Sequence, residues 1–268
     1  MKTLKVKCPA KINLGLKVVN KRPDGFHNID SVMQTISLYD YLTISVEKAD
    51  NFEILLSGNS TKIPYDERNL VYKAAKLFLD STNLQACRIK IFIEKNIPIV
   101  AGLAGGSTDA AGTLYGLNKI FEELLTEEEL HNLCAKLGSD LNVCLKGGCL
   151  KTSGRGEIII PVEYNEYNVR LIKPLDLGVS AKEAYTKFSR KIQDGKDLET
   201  RDEFVNDLEW AILEDYEELK FVKEKYPNSV MTGSGSTYFS LIDDFAQENG
   251  YWVNNSLTTV PNGVVVIE

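Results

Sequence analysis

The sequence predicts an α+β fold in two lobes, and three observations carry that prediction. Apolar residues alternate with period two through the first third of the chain, capped helical stretches dominate the middle, and the chain closes on a β-rich run. Strands and helices do not alternate strictly, as a doubly wound sheet would require. At 268 residues the chain suits two modest cores, and it shows no internal repeat or low-complexity linker.

Leu14, Leu16 and Val18 alternate with Asn13, Gly15 and Lys17, and Leu42, Ile44 and Val46 alternate with Thr43, Ser45 and Glu47, so both stretches are expected as half-buried strands. Between them the run Arg22-Pro23-Asp24-Gly25-Phe26-His27 centres on an Asp-Gly pair and predicts a hairpin turn. Asn69 is placed to cap a helix through Val71, Ala75 and Phe78. Residues 88–94, with Ile89, Ile91 and Ile93 on one side, predict a strand that runs into a glycine-rich loop and a second helix capped by Ser107 or Thr108. Thr126 and Glu129 form a capping box for a helix through Leu130, Leu133, Cys134 and Leu137, which Gly138 ends.

Residues 149–153 and 157–161 flank Gly154, Arg155 and Gly156 and predict a hairpin, followed by a strand at 169–173. The boundary between lobes is expected between residues 153 and 154. Ser180 with Glu183 predicts a second capping box before Ala184, Tyr185 and Phe188, residues 202–226 an acidic helical region, and residues 264–267 a closing strand. Val230 and Met231 precede, and Tyr238, Phe239 and Leu241 follow, a Gly-Ser loop at residues 233–236; their apolar character argues for an ordered loop rather than a linker.

The stretch from Pro98 to Gly112 holds the chemistry. Gly102, Gly105 and Gly106 lack a Cβ to screen their amides, and a helix N-terminus follows at once, so an anion can lie against several N–H groups at the positive end of a helix dipole. Ala110, Ala111 and Gly112 allow close approach on the helix itself. The loop is neither of two familiar nucleotide patterns. No G-x-x-x-x-G-K-[ST] is present, and Ala104 stands where the second glycine of G-x-G-x-x-G belongs.

A formal charge of −7 opposes nucleic acid as a partner and requires any phosphate site to be organised locally. The N-terminal residues interleave charges with apolar side chains and no long apolar run follows, so no secretory signal or membrane span is expected and a cytoplasmic location is. The five cysteines, Cys8, Cys87, Cys134, Cys144 and Cys149, form no C-x-x-C pair, and His27 and His131 lie far apart; no metal site is expected of them. Monomer and homodimer both remain open.

Two further segments complete the pattern: Cys8-Pro9-Ala10-Lys11-Ile12-Asn13-Leu14-Gly15-Leu16 and Met231-Thr232-Gly233-Ser234-Gly235-Ser236-Thr237. In this order, with the central loop between them, the three segments resemble those of the GHMP kinases, the superfamily of galactokinase, homoserine kinase, mevalonate kinase and phosphomevalonate kinase. The run from Arg22 to His27, the Leu137-Gly138-Ser139-Asp140 context before Gly147 and Gly148, and the chain length are similar to the branch acting on 4-diphosphocytidyl-2-C-methyl-D-erythritol in non-mevalonate isoprenoid synthesis.

The resemblance implies an N-terminal ATP-binding lobe at residues 1–153 like ribosomal protein S5 domain 2, and a ferredoxin-like C-terminal lobe at residues 154–268 that completes the substrate site. It implies ATP along Pro98, Ile99, Val100, Ala101, Gly102, Leu103, Ala104, Gly105, Gly106, Ser107 and Thr108, with Mg²⁺ carried in by the nucleotide. Phosphoryl transfer needs an in-line hydroxyl, charge neutralisation and a proton acceptor. Asp140 is the expected base, although an Asp after Leu-Gly is also a natural helix cap. Lys11, otherwise a plain strand lysine, is expected to lie between Asp140 and the substrate hydroxyl and to meet the charge that develops there.

Asn13 shares the sheet face of Lys11 and is expected at the substrate. Phe26 and His27 are expected at a cytidine, by stacking and by hydrogen bonding; tyrosine often stands at position 26 in similar enzymes, and stacking survives that change. Gly233 and Ser234 are expected to pack at the phosphate site. The acceptor is thus expected to be a small molecule with a cytidine diphosphate moiety. The alternatives are another GHMP kinase acting on mevalonate, a phosphomevalonate or homoserine, and a non-catalytic ligand sensor on the same scaffold.

Overall fold

In the computed structural model, which describes residues 1–196 and 198–268, β1 (Lys2–Lys21) and β2 (His27–Lys48) form one long antiparallel hairpin about the turn at Asp24 and Gly25. The hairpin is the spine of the molecule. Its register shifts at Pro9/Ala10, Asn13/Gly15 and Val18/Asn20, and these bulges bend it so that one strand serves successive cores. Val6 and Cys8 pack in one core, Ala10 and Ile12 in a second, and Leu16 and Val18 in a third.

Around the hairpin lies a seven-stranded sheet. β4 (Cys87–Glu94) pairs with β2, and β3 (Glu53–Gly58) lies parallel on the outer side of β4. β5 (Cys149–Ser153) pairs with β2 further along, β6 (Ile158–Pro161) pairs with β5, and β11 (Val265–Val266) returns from the end of the chain to β1. Helices α1 (Leu70–Asp80), α2 (Gly105–Ile120), α3 (Glu127–Leu137) and α4 (Leu141–Lys146) cover one face. Asn69 caps α1 by accepting from the Val71 amide at 2.9 Å, and Thr126 and Glu129 make the reciprocal capping box of α3.

The second sheet is antiparallel, in the order β10 (Tyr251–Thr258), β7 (Asn168–Pro174), β9 (Tyr238–Ser240), β8 (Val230–Met231). It is backed by α5 (Ala181–Asp194), α6 (Asp207–Ile212) and α7 (Glu217–Lys225) around Phe188, Trp210 and Tyr238. Between the sheets, Ala10, Ile12, Ile36, Ile97 and Leu103 pack on Val169, Leu171, Phe239 and Leu257. The α+β reading holds.

Several expectations need correction. The break expected after residue 153 falls inside the β5–β6 hairpin, and both strands belong to the first sheet; the second sheet begins at Asn168. Neither Ser107 nor Thr108 caps α2, which starts at Gly105 behind Ala104, a non-glycine residue in the left-handed region at φ 60°. Only half of the Ser180 box forms: Ser180 accepts from the Glu183 amide at 3.1 Å, but the Glu183 carboxylate takes the Tyr216 hydroxyl instead. The acidic stretch at 202–226 breaks into two short helices joined by one 3₁₀ turn, Leu213–Asp215, because Asn206 caps α6 and Tyr216 is extended. No helix of the described residues is long and apolar enough to cross a membrane.

α2 lies directly on β1 and β2 through glycines. A Cβ at Gly112 would collide with Cys8 Sγ, and one at Gly116 would meet Val6 and Ile44. Gly112→Ala should therefore cost about 1–3 kcal/mol through overpacking, although alanine is the better helix former. Urea denaturation checks this; a midpoint equal to or above that of the wild type would show that the interface yields.

Candidate active site

The site is built where β1 bulges. The Pro9/Ala10 shift brings Lys11 beneath the glycine loop, where its amide donates to the Leu103 carbonyl at 3.1 Å and its Nζ donates to the Gly102 carbonyl at 2.9 Å. The same ammonium donates to Asn13 Oδ1 at 2.6 Å and stands 3.7 Å from Asp140 Oδ2. Lys11 is buried, its side chain 3% exposed, whereas that of Asp140 is 29% exposed. The cation is thus fixed by the fold while the carboxylate keeps an open side.

Asp140 stands at the N-cap of α4, yet its side chain makes no capping bond. The capping role that its sequence context offers is left unused, so the carboxylate faces Lys11 and the cleft. Behind it Gly138 is extended at φ 175° rather than left-handed; a Cβ there would press on Leu141 at 2.9 Å.

Lys11, Asp140 and the loop line one cleft of about 1080 Å³. Every residue from 98 to 107 lies in its wall; Thr108 does not, being wholly buried on the core side of α2. Val100 and Ala104 both have positive φ, at 50° and 60°, and with Gly102 at 74° they curl the backbone around the helix N-terminus. A Cβ at Gly102 would strike the Thr232 carbonyl, which fixes how closely the second glycine loop can approach.

That second loop closes the site from the other sheet. Thr232 Oγ1 accepts from the Asn13 amide at 2.9 Å, and Asn206 Nδ2 donates to the Met231 and Gly233 carbonyls at 2.6 and 2.9 Å. Gly233 and Ser234 line the cleft, and Gly233 is left-handed at φ 57°, where a Cβ would stand 3.1 Å from Lys11 Nζ. Asn13 is wholly buried; its Nδ2 donates to Ser31 Oγ at 2.9 Å. Asn13 therefore orients Lys11.

Also in the cleft wall, Phe26 is 51% exposed and His27 is nearly buried. The His27 ring stacks on Tyr185 at 5.0 Å and 16°, meets Phe188 edge-on, and bonds Ser189 Oγ through Nε2 at 2.8 Å. Burial, helped by the charge of Lys21, holds His27 below the ordinary imidazole range, so at neutral pH it is an uncharged hydrogen-bonding ring. The guanidinium of Arg155 lies over the Phe26 ring at 5.0 Å.

The structure thus brings Lys11, Asn13, Asp140, the glycine loop, Phe26, His27, Gly233 and Ser234 to one cleft. Sequence reasoning missed Thr232, Asn206, Arg155 and a buried trio under the loop, in which Lys95 Nζ bonds Asp40 and, at 2.8 Å, Asp109. Asp109, three residues after Gly106, carried no local signal of its pairing. Arg155 between two glycines could have been noticed as a charged turn beside the site.

Residues 69–148 match the N-terminal domain of the GHMP kinases. The chain is 39% identical over 257 residues to the 4-diphosphocytidyl-2-C-methyl-D-erythritol kinase of Clostridium tetani, covering 88% of this chain and 90% of that protein. It is 38% identical over 260 residues to the enzyme of the same name from Clostridium perfringens, covering 90% and 89%. Among solved structures it is similar to a 4-(cytidine 5'-diphospho)-2C-methyl-D-erythritol kinase, with a TM-score of 0.73, 27% identity and 96% and 100% of the two chains covered. The homoserine kinase of Cytophaga hutchinsonii, with a TM-score of 0.71 and 17% identity over 100% and 98%, shares the fold. With these relatives matched along nearly their whole length, and with the loop, lysine and aspartate of the sequence pattern drawn into one cleft, the chain belongs to the 4-diphosphocytidyl-2-C-methyl-D-erythritol kinase family of the GHMP kinases.

Proposed function

We propose that this protein transfers the γ-phosphoryl group of ATP to the 2-hydroxyl of 4-diphosphocytidyl-2-C-methyl-D-erythritol, giving the 2-phosphate and ADP, a step of non-mevalonate isoprenoid synthesis in the cytoplasm. The observation that carries this reading is the Lys11–Asp140 pair, 3.7 Å apart, set against the amide cradle in the cleft that also holds Phe26 and His27. The two sheets serve as its two lobes, with the acceptor between them.

In this reading the nucleotide lies along residues 98–107, its phosphates at the amides of Gly105 and Gly106 and the N-terminus of α2. Asp140 accepts the proton of the attacking hydroxyl as the bond to phosphorus forms. Lys11 cannot swing away, because Asn13 and the Gly102 carbonyl hold its ammonium, so its charge is in place before charge develops on the transferred group. Phe26 offers its exposed ring to the pyrimidine, and His27 a neutral hydrogen-bonding edge.

The described residues include no group of three or more His, Cys, Asp or Glu side chains that could hold a metal ion. Mg²⁺ would arrive on the phosphates of the nucleotide, with the Ser107 hydroxyl in the cleft wall as the side chain that would hold it. When bound, the ion supplies charge neutralisation on the phosphate oxygens.

Release of ADP should depend on the cytidyl acceptor. Purified protein with ATP and Mg²⁺ should form ADP with 4-diphosphocytidyl-2-C-methyl-D-erythritol and at least about a hundredfold less with mevalonate or homoserine, since neither has a base to stack. ADP formation with either of those at a comparable rate would remove the acceptor assignment; tight acceptor binding with no ADP would favour a sensor.

A further inference from the structure

The cleft is a cationic patch on an acidic protein. Lys11, Lys21, Lys95, Arg155, Lys182 and Arg190 line it, against Asp109 and Asp140, although the chain as a whole carries −7. Lys95 and Lys11 are engaged with those two carboxylates. Arg155 is placed differently, with its guanidinium over Phe26 and its turn against Ser139.

Its backbone forms the β5–β6 turn, shaped by Gly154 at φ 67° and Gly156 at φ 120°. Gly156 packs on Ser139, the neighbour of Asp140; a Cβ there would be 3.4 Å from the Ser139 side chain. The guanidinium reaches the other way, over the Phe26 ring at 5.0 Å. One Nη2 hydrogen bond, 3.1 Å to the Ala135 carbonyl, anchors it, and Glu157 makes an ion pair with Nε at 3.6 Å that leaves the outer nitrogens to other partners. A guanidinium carries five N–H donors, so most of the fork remains available to a ligand.

We infer that Arg155 is a specificity-determining residue that takes the diphosphate of the acceptor. The inference rests on the acceptor assignment above. A cytidine at Phe26 and a hydroxyl at Asp140 belong to one molecule, and the diphosphate is the part that joins them. It must therefore pass the residue that spans the same two points. A planar fork matches phosphate oxygens in a bidentate fashion, and the Phe26 ring beneath it preorganises the fork without neutralising its charge.

Binding of cytidine, CMP and CDP by calorimetry, together with steady-state kinetics, tests this in the full chain. In the wild type, affinity should rise from cytidine to CDP. Arg155→Gln should weaken CDP by about tenfold or more, leave cytidine within about twofold, and raise KM for the acceptor but not KM for ATP; Arg155→Lys should recover part of the loss. Equal losses for cytidine and CDP, or a matching rise in KM for ATP, would mean that Arg155 only holds the turn, and would overturn the inference. A wild type that binds neither cytidine nor CDP would overturn the acceptor assignment itself, and this inference with it.

Discussion

Asp140→Asn should lower kcat by about a thousandfold, the middle of the range for removal of a positioned general base, while leaving KM for ATP within about twofold. Asp140 has no capping bond to lose at the N-cap where it sits, so its loss breaks no helix terminus. Its partner Lys11 keeps two other acceptors, Asn13 Oδ1 at 2.6 Å and the Gly102 carbonyl at 2.9 Å, so the ammonium is not left stranded in the interior. Asparagine has nearly the same shape, and the melting temperature should move by no more than about 2 °C. Steady-state kinetics with a thermal melt on the same preparation decides the point. A variant keeping more than about a tenth of wild-type kcat would show that the proton leaves by another route; a fall in kcat tracking a large drop in melting temperature would return Asp140 to a capping role.

How far the sequence reveals this site depends on whether each residue's role is written locally. The glycine loop is legible because missing Cβ atoms and a following helix form a local pattern, and Asn69 and Thr126 are legible because a cap is decided within four residues. The start of α2 is not, since Ala104 enters the left-handed region only because the loop curls against the second glycine segment. β10 escaped for a similar reason: its ladder slips between Asn254 and Leu257, so apolar residues fall out of step with the period of two. β11 looks longer in sequence than it is because Val264 turns into the core of the first sheet and the ladder with β1 is regular only at Val265 and Val266, although the Ile267 amide still donates to the Lys5 carbonyl at 2.9 Å. The Asn13–Thr232 and Lys95–Asp109 contacts bridge segments whose proximity is decided by bulges and sheet packing, and no spacing rule reaches them.

Lys95→Met should be the most destabilising single change near the site, by about 3–5 kcal/mol, because it leaves two buried carboxylates with no cation. Asp40 and Asp109 are each almost inaccessible, with side chains 0% and 4% exposed, and Lys95 at 6% is their shared partner. The effect should reach the nucleotide. Asp40 Oδ1 accepts from the amides of Asn96 and Ile97 at 2.6 and 2.8 Å, which sets the exit of the chain from β4 into the loop, and a Cβ at Gly105 would lie 2.7 Å from Lys95 Nζ. The trio is the floor of the cradle, so KM for ATP should rise together with the loss of stability. Burial pushes the Asp109 carboxyl up to about 7 against the pull of Lys95, and the charge of Asp40 adds to that push. A carboxyl raised in this way binds a proton in the folded state that the unfolded chain has released. Its stabilising contribution is complete below the ordinary carboxylate range and is lost as pH rises through about 7. Denaturation free energies between pH 5.5 and 8.5 should therefore fall with pH in the wild type, by at most about 1.4 kcal/mol per unit from this group, and the slope should flatten in Asp109→Asn. An unchanged slope in that variant, or a Lys95→Met protein as stable as the wild type at pH 8, would show that water already reaches the trio and that the cradle does not stand on it.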